Sequence, residues 1–545
     1  RDAARFPTWV GELYLEKHTG TLTTQARNKW HNRRLEEALR ALELAALLAG
    51  GEYPAARLGA LWREALLYQF HDILPGSSIK RVYHESLARY AAMLAEARSL
   101  TEGHLKAIAQ RIDAQAMRAP MLWFNPLSWP RTAWVPAGSG SRRVTVPALG
   151  YCVADMALTE DVPAVHASTE ILENDLLRVA LAENGAIVSI YDKEAGREVL
   201  PVGQQGNRLA VYADPGDAWD FPLDYRQQAP QYMTLISSEP RVEGSKAILR
   251  QTYRYGHSQL VQEVCLTAGS RVLEFDSHLT WREPATMLRT SFPVAVHAQE
   301  ATCQIQFGSI RRPTHSNTTW DLAKDEVAAH GYVDLSQRDW GVALLNDSKY
   351  GHRVKGNVLD LALLRSAPYP GPRLVRDEDV APGEPHDGYT DQAEHVFRYG
   401  LYPHRGDHVQ GGVIRATYEF NQPLVSVAVE KRRAFPGAKT PRSARSDVEG
   451  RSDQGCAVSG SLAEVEAEEV IVEATKQAEE GEALILRLYE ATGASVRTTV
   501  RLGVSARIVE EADLLERPLR ALPLEGDTVA LEFSPFEIKT LRVTA

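Results

Sequence analysis

Apolar residues recur at helical spacing from Asn28 to Ala49, at Leu35, Leu39, Leu42 and Ala46, and Gly50-Gly51 follows as a stop. The spacing predicts an amphipathic helix there. A second pattern, with Leu58, Leu61, Trp62 and Ala65 on one face, runs into Gln69 and His71 before Pro75-Gly76 breaks the chain. Ser77 or Ser78 is suited to cap a third helix, predicted from about Ile79 to Ile112. Three helices joined by short connections imply a bundle.

After the stretch RAPMLWFNPLSWPR the period changes to two. In LEFDSHLTW, Leu273, Phe275, Leu279 and Trp281 alternate with Glu274, Asp276, His278 and Thr280, the signature of a half-buried strand. Asn184-Gly185 between Leu181 and Ala186 predicts a hairpin turn. Similar short runs continue over roughly 300 residues, more than one small sandwich holds, and predict a large antiparallel β domain. The stretch 434–461, rich in Ser, Gly, Pro and charge, reads as a linker, and ALILRLYEA and TVALEFSPFEIKTLRV beyond it predict a small C-terminal β unit.

Composition narrows the classes. The chain has 545 residues and 71 acidic against 61 basic side chains, a net charge of −10, with no long basic block, so nothing marks a nucleic-acid footprint. No apolar run reaches the roughly 20 residues that cross a bilayer. The four cysteines, Cys152, Cys265, Cys303 and Cys456, lie far apart with no C-x-x-C, which suggests neither a disulfide scaffold nor a thiolate zinc site and fits a reducing, cytoplasmic setting. The opening RDAARFPTWVGELYLE has no initiator Met and no leader pattern and reads as a start in mid-protein.

Three catalytic signatures are missing from the sequence: G-x-S-x-G, G-x-x-x-x-G-K-[ST] and G-x-G-x-x-G. The adjacent His71 and Asp72 offer a metal ligand and a carboxylate for a sugar hydroxyl or an outer shell. On local evidence a histidine near a helix C-terminus and an aspartate forming a turn account for both. His315, Asn317, Trp320 and Asp321 crowd into RRPTHSNTTWDLAK, and Asp217, Trp219 and Asp220 into GDAWDF. An indole face with hydrogen-bonding neighbours suits a sugar ring, and equally a loop packed by its own aromatic residue.

The order of these stretches points further. GELYLEKHTGTLTTQARNKWHNRRLEEALR, LWREALLYQFHDILPGSSIKRVYHES, FNPLSWPR, DAWDF, FGSIRRPTHSNTTWDLAK, LLNDSKYG, YPH and SPFEIKTL together resemble the α-mannosidases of glycoside hydrolase family 38, in family order and over nearly the whole chain, with the greatest likeness to the cytosolic, vacuolar and bacterial branch. The resemblance implies a multidomain α + β chain. Residues 1–20 would be a junction with an upstream α/β catalytic domain, 21–118 a three-helix bundle, 119–165 a small β segment, 166–433 a large antiparallel, galactose-mutarotase-like β-sandwich, 434–461 a linker and 462–545 a C-terminal β domain.

It also implies chemistry. Family members hydrolyse terminal α-D-mannosidic bonds of oligosaccharides with retention, using a divalent metal, zinc or in some members cobalt. By resemblance His71 is one metal ligand and Asp72 a substrate contact, Trp219, Asp220 and His315 approach the sugar from the β side, and His18, Thr23 and Thr24 line the cleft edge. The nucleophile, the acid/base and the other ligands belong to the upstream domain, so this chain is expected to be inactive alone. It is also expected to expose an apolar face that favours self-association into homo-oligomers. Two other readings compete: a non-catalytic carbohydrate-binding protein of the same domains, and an epimerase using Glu274 with His278 or His315 inside the sandwich.

Overall fold

The structure, a computed structural model, describes residues 5–370, 388–431 and 456–545. Helix α1 spans Ala26–Ala49, α2 Ala55–Tyr68 and α3 Lys80–Ala109. Leu35, Leu39 and Leu42 of α1 pack on Leu58, Leu61 and Ala65 of α2 and on Tyr90, Met93 and Ala97 of α3, forming the bundle core. Gly50 ends α1 in the left-handed conformation, its N–H on the Ala46 carbonyl. The expected serine cap of α3 is not made. Ile79 occupies the N-cap without a side-chain bond, because Ser77 and Ser78 turn back to Asp72, Ser77 Oγ to its carboxylate at 2.9 Å and Ser78 Oγ to its carbonyl at 2.8 Å.

Asn28, Lys29, Asn32 and Arg33 of α1 are buried although polar. They can be, because α1 is enclosed by the other helices on one side and the β domains on the other, where partners meet its polar groups. Arg34 pairs with Asp347 at 3.1 Å and Arg40 with Glu473 at 2.8 Å.

The β region is antiparallel throughout its paired strands. Nine strands run in the order Thr234–Glu243, Lys246–Tyr255, Ser258–Thr267, Leu273–Thr280, Glu394–Arg405, Trp340–Asn346, Tyr332–Ser336, Glu300–Ile305, Gly308–Pro313. A six-stranded sheet has Thr286–Pro293 and Val358–Arg365 at its centre. Leu288, Phe292, Leu359 and Leu361 from the second sheet share one core with Phe275, Leu279, Val342, Leu344 and Tyr399 from the first, so the two form a sandwich. The Asn184-Gly185 turn joins Leu177–Leu181 to Ile187–Asp192, as expected. Glu274, Asp276 and His278 alternate with the buried Leu273 and Phe275 and so face away from this core, and His315 lies two residues past the strand five places along the sheet, roughly 24 Å at the usual spacing. The His/Glu pair that an epimerase would need inside the sandwich is not formed.

Residues 434–455 of the expected linker lie outside the described residues, but its end, Val458–Ser461, is a strand paired with Gly150–Asp155. Just before that strand, whose register sets Ser459 opposite Cys152, Cys456 lies beside Cys152, and the two form a disulfide across 304 residues with Cα atoms 5.9 Å apart. The cysteine reading is corrected accordingly: the packing of two distant segments side by side, which linear spacing does not reveal, makes the pair. The C-terminal strands share a core with the end of the bundle, Leu44, Leu48, Leu105 and Ile108, and with Leu122, Phe124 and Val153. No helix among the described residues is long and apolar enough to cross a membrane. A bundle, an antiparallel sandwich and a small C-terminal β unit are the architecture the sequence predicts.

Candidate functional site

Helix α2 stops at Tyr68, and the following residues turn: Ile73 N–H bonds to the Phe70 carbonyl at 2.9 Å and Ser77 N–H to the Asp72 carbonyl at 3.1 Å. His71 and Asp72 crown this turn. Their side chains are 74% and 51% exposed, with His71 Nε2 at 3.3 Å from Asp72 Oδ2. The Tyr83 hydroxyl of α3 stands 3.0 Å from the Asp72 carbonyl beneath them and accepts from Ser78 N–H at 2.9 Å. Two polar side chains are thus displayed to solvent from a backbone fixed on the bundle.

The turn is tied to the start of α1. Lys29 Nζ donates to the carbonyls of Thr24, Leu74 and Pro75 at 2.5, 2.8 and 3.2 Å. Burial pulls the Lys29 ammonium down to about 7, while the nearby Asp391 carboxylate favours its charge. Gly76 has φ 107° and lies against Thr24, leaving no room for a side chain.

Thr24 also touches the β domain. Its hydroxyl lies 2.8 Å from the Gly20 carbonyl and 3.0 Å from that of Ala218. A Cβ on Gly20 would collide with Arg365 and with the Trp219 carbonyl, so the two segments meet at backbone distance. Within the loop, Asp217 Oδ1 accepts from Trp219 N–H at 2.9 Å and Asp220 N–H at 3.0 Å. Asp220 Oδ1 accepts from Thr19 N–H at 3.2 Å. Trp219 and Asp220 are half-buried at the same bundle and β-domain junction that carries the His71 turn.

His315 is elsewhere. It precedes the short helix α4, Thr319–Ala323, with Nδ1 at 3.6 Å from Asp321 Oδ2 and its carbonyl held by Lys355 Nζ at 3.2 Å. The strand Gly351–Lys355 has Gly351 against Thr23 and Lys355 against His315, so about 13 Å of strand separates His315 from the junction. Trp320 there is exposed and stands 5.7 Å from Trp9, ring centre to ring centre. The N-terminal segment carrying Trp9 is fastened to the β domain by Glu12, which Arg312 holds at 2.9 and 2.5 Å. Thr23 and Thr24, expected at a cleft edge, are buried at 4% and 0% exposure, while His18 is exposed. The threonines pack the junction from behind.

A metal finds an incomplete set here. Among the described residues no group of three or more His, Cys, Asp or Glu stands close enough to hold an ion. A catalytic zinc site takes about three protein ligands, and the turn offers one imidazole with one adjoining carboxylate. Sequence reasoning missed Lys29, Arg365 and Asp214, which build the junction. No signal in the linear sequence marks them, since Arg365 meets Thr24 and Asp214 across 341 and 151 positions.

Comparison with known proteins gives this geometry its context. Residues 16–108 match the alpha mannosidase middle domain, 172–373 the glycosyl hydrolases family 38 C-terminal domain, and 469–541 the family 38 C-terminal beta sandwich domain. Alpha-mannosidase 2C1 of Mus musculus is 35% identical over 99% of this chain and 51% of its own length, and the alpha-mannosidase of Saccharomyces cerevisiae 27% identical over 98% and 49%. The chain therefore spans about half the length of the curated relatives it matches. A crystal structure of an alpha-mannosidase from Enterococcus faecalis superposes with a TM-score of 0.77 over 96% of this chain and 68% of that one at 15% identity, which shows a shared fold. With its middle, C-terminal and C-terminal β-sandwich domains in this order, the chain belongs to glycoside hydrolase family 38.

Proposed function

We propose that this chain is the helical and β-rich portion of a metal-dependent, retaining α-mannosidase acting on terminal α-D-mannosidic bonds of oligosaccharides. In this reading His71 supplies one ligand to a divalent cation, zinc or cobalt, whose remaining donors are residues other than those described. The cation would chelate the sugar's 2- and 3-hydroxyls. Asp72 contacts the substrate, with Trp219 and Asp220 approaching from the β side. The observation that carries the proposal is the exposed His71 and Asp72 pair, 3.3 Å apart on a turn held from beneath by Tyr83 and Lys29. Rigid mounting of exposed polar groups is what a ligand site needs. Family membership supports the reaction class, and the likeness to Alpha-mannosidase 2C1 supports a cytoplasmic setting.

A retaining glycosidase needs two carboxyl groups about 5 Å apart. The carboxylates at this junction are already engaged: Asp72 by Ser77, Asp217 by two backbone amides and Asp220 by Thr19. The reading gives them positioning and binding roles and expects no turnover from these 545 residues alone. The test is hydrolysis of an aryl α-mannoside, with zinc and then cobalt added. Silence of this chain, turnover once a polypeptide matching the rest of the relatives' length is supplied, and its loss in His71→Ala would support the proposal. Turnover by the chain alone, abolished by a chelator, would put the nucleophile and acid within these residues and overturn the assignment of roles. Mannoside binding without turnover in any combination would favour a non-catalytic carbohydrate-binding protein.

A further inference from the structure

Arg365 ends the strand Val358–Arg365 with no exposed surface. Its Nε and Nη2 donate to the two oxygens of Asp214 at 2.8 and 2.9 Å, and Nη2 also reaches the Asp220 carbonyl at 3.0 Å. A bidentate pair fixes the plane of the guanidinium, and so fixes where the third nitrogen points. That nitrogen, Nη1, donates to Thr24 Oγ1 at 3.2 Å. The Thr24 hydroxyl hydrogen is then left for the carbonyls of Gly20 or Ala218, the latter next to Trp219. From the opposite side Lys29 holds the Thr24 carbonyl together with those of Leu74 and Pro75. Two buried basic side chains therefore meet at one threonine, Arg365 gripping the Asp214–Phe221 loop and Lys29 the His71–Ser77 turn.

We infer that Arg365 is a positioning residue: acting through Thr24, it sets the spacing between the His71–Asp72 turn and the Trp219–Asp220 loop. Its meaning for mannoside chemistry rests on the function proposed above, whereas the mechanical coupling does not. Neither Arg365 nor Thr24 touches solvent, so both act on the site only through the groups they hold. Removing Arg365 strands the buried Asp214 carboxylate and endangers folding, so the test is placed on Thr24, where Val keeps the shape without the hydroxyl and Ser keeps the hydroxyl.

Hydrogen–deuterium exchange of the whole chain reads the coupling without metal or substrate. In Thr24→Val, amides of both 214–221 and 71–77 exchange roughly tenfold faster, the scale of one lost buried hydrogen bond, while the nine-stranded sheet keeps its protection. Thr24→Ser restores both segments. Acceleration confined to 214–221, acceleration of neither segment, or a uniform rise over the whole chain would each overturn the inference, the last by reducing Thr24 to a general stability role. Coupled exchange in a chain that never supports hydrolysis would leave the relay standing and remove the mannosidase reading. Hydrolysis with uncoupled exchange would do the reverse.

Discussion

The Asp391 carboxylate accepts a hydrogen bond of 2.9 Å from the backbone N–H of Ala26, 365 positions away. Ala26 is the first residue of α1, and its N-cap residue, Gln25, makes no capping bond. A β-domain side chain thus satisfies a free amide at the start of the central helix and places negative charge at the positive end of its dipole. Asp391→Ala should lower unfolding stability by about 1–2 kcal/mol, and Asp391→Asn by less, since an amide oxygen still accepts. Urea titration followed by helix circular dichroism measures both. Equal midpoints for wild type and Ala would remove the cap from the account.

Acid should destabilise the fold between pH 6.5 and 4. Burial holds His352 and His395 down at about 4, against 6.5 for a free imidazole. Both are neutral in the fold and take up protons on unfolding, so their contribution is present above 6.5 and is lost as pH falls toward 4, on the order of 3 kcal/mol each. Glu37 and Glu43 work the other way. Burial raises both to about 7, so their contribution is present below 4.5 and lost as pH rises through 7. Burial also lowers His31 to about 4 and His330 to about 3, so four imidazoles outweigh the two carboxyls, and melting temperatures across pH 4 to 8 should fall on the acid side, less steeply in His395→Gln. An acid limb unchanged by that substitution would contradict the assignment.

Gly76→Ala tests the junction sterically. At φ 107° an added Cβ would fall 2.8 Å from the Thr24 carbonyl oxygen and 2.9 Å from its Cβ. Strain and overlap together should cost about 1–3 kcal/mol. His71→Ala, five residues away but exposed, should stay within about 0.5 kcal/mol of wild type. Calorimetry on both variants separates them, and similar losses would mean that His71 has a structural role.

Peptide mapping without reductant should recover Cys152 linked to Cys456. The double change Cys152→Ser and Cys456→Ser should lower stability by roughly 2–4 kcal/mol. Burial raises the Cys265 thiol to about 12, so it should resist iodoacetamide in the native chain at pH 8. Rapid native alkylation of Cys152 would show the bond to be absent.

Leu66, Leu67 and Phe70 at the end of α2, and Trp9, Val10, Leu13 and Leu15 on the N-terminal segment, are exposed apolar side chains. Sedimentation velocity should show self-association that grows with concentration and weakens in Leu66→Gln with Leu67→Gln. A monomer at high concentration would argue against this face as an interface.

The helices, the Asn184-Gly185 turn and the strand Leu273–Thr280 were legible from local pattern. Which face of an element is buried imprints a period on its residues, and turns depend on backbone preferences within a few positions. The break at Pro75-Gly76 likewise marked His71 and Asp72, because a helix end is a local event. Tertiary structure alone decided the rest. It buried Thr24, joined Arg365 to Asp214 and Asp391 to Ala26, paired Cys152 with Cys456, and set His315 apart from Trp219 although their motifs look alike. Each of these depends on sheet register and on the packing of segments 150 or more positions apart, or on where a strand's two ends fall. Energies of that kind arise between surfaces that meet only in the folded chain, and they leave no period or spacing along it.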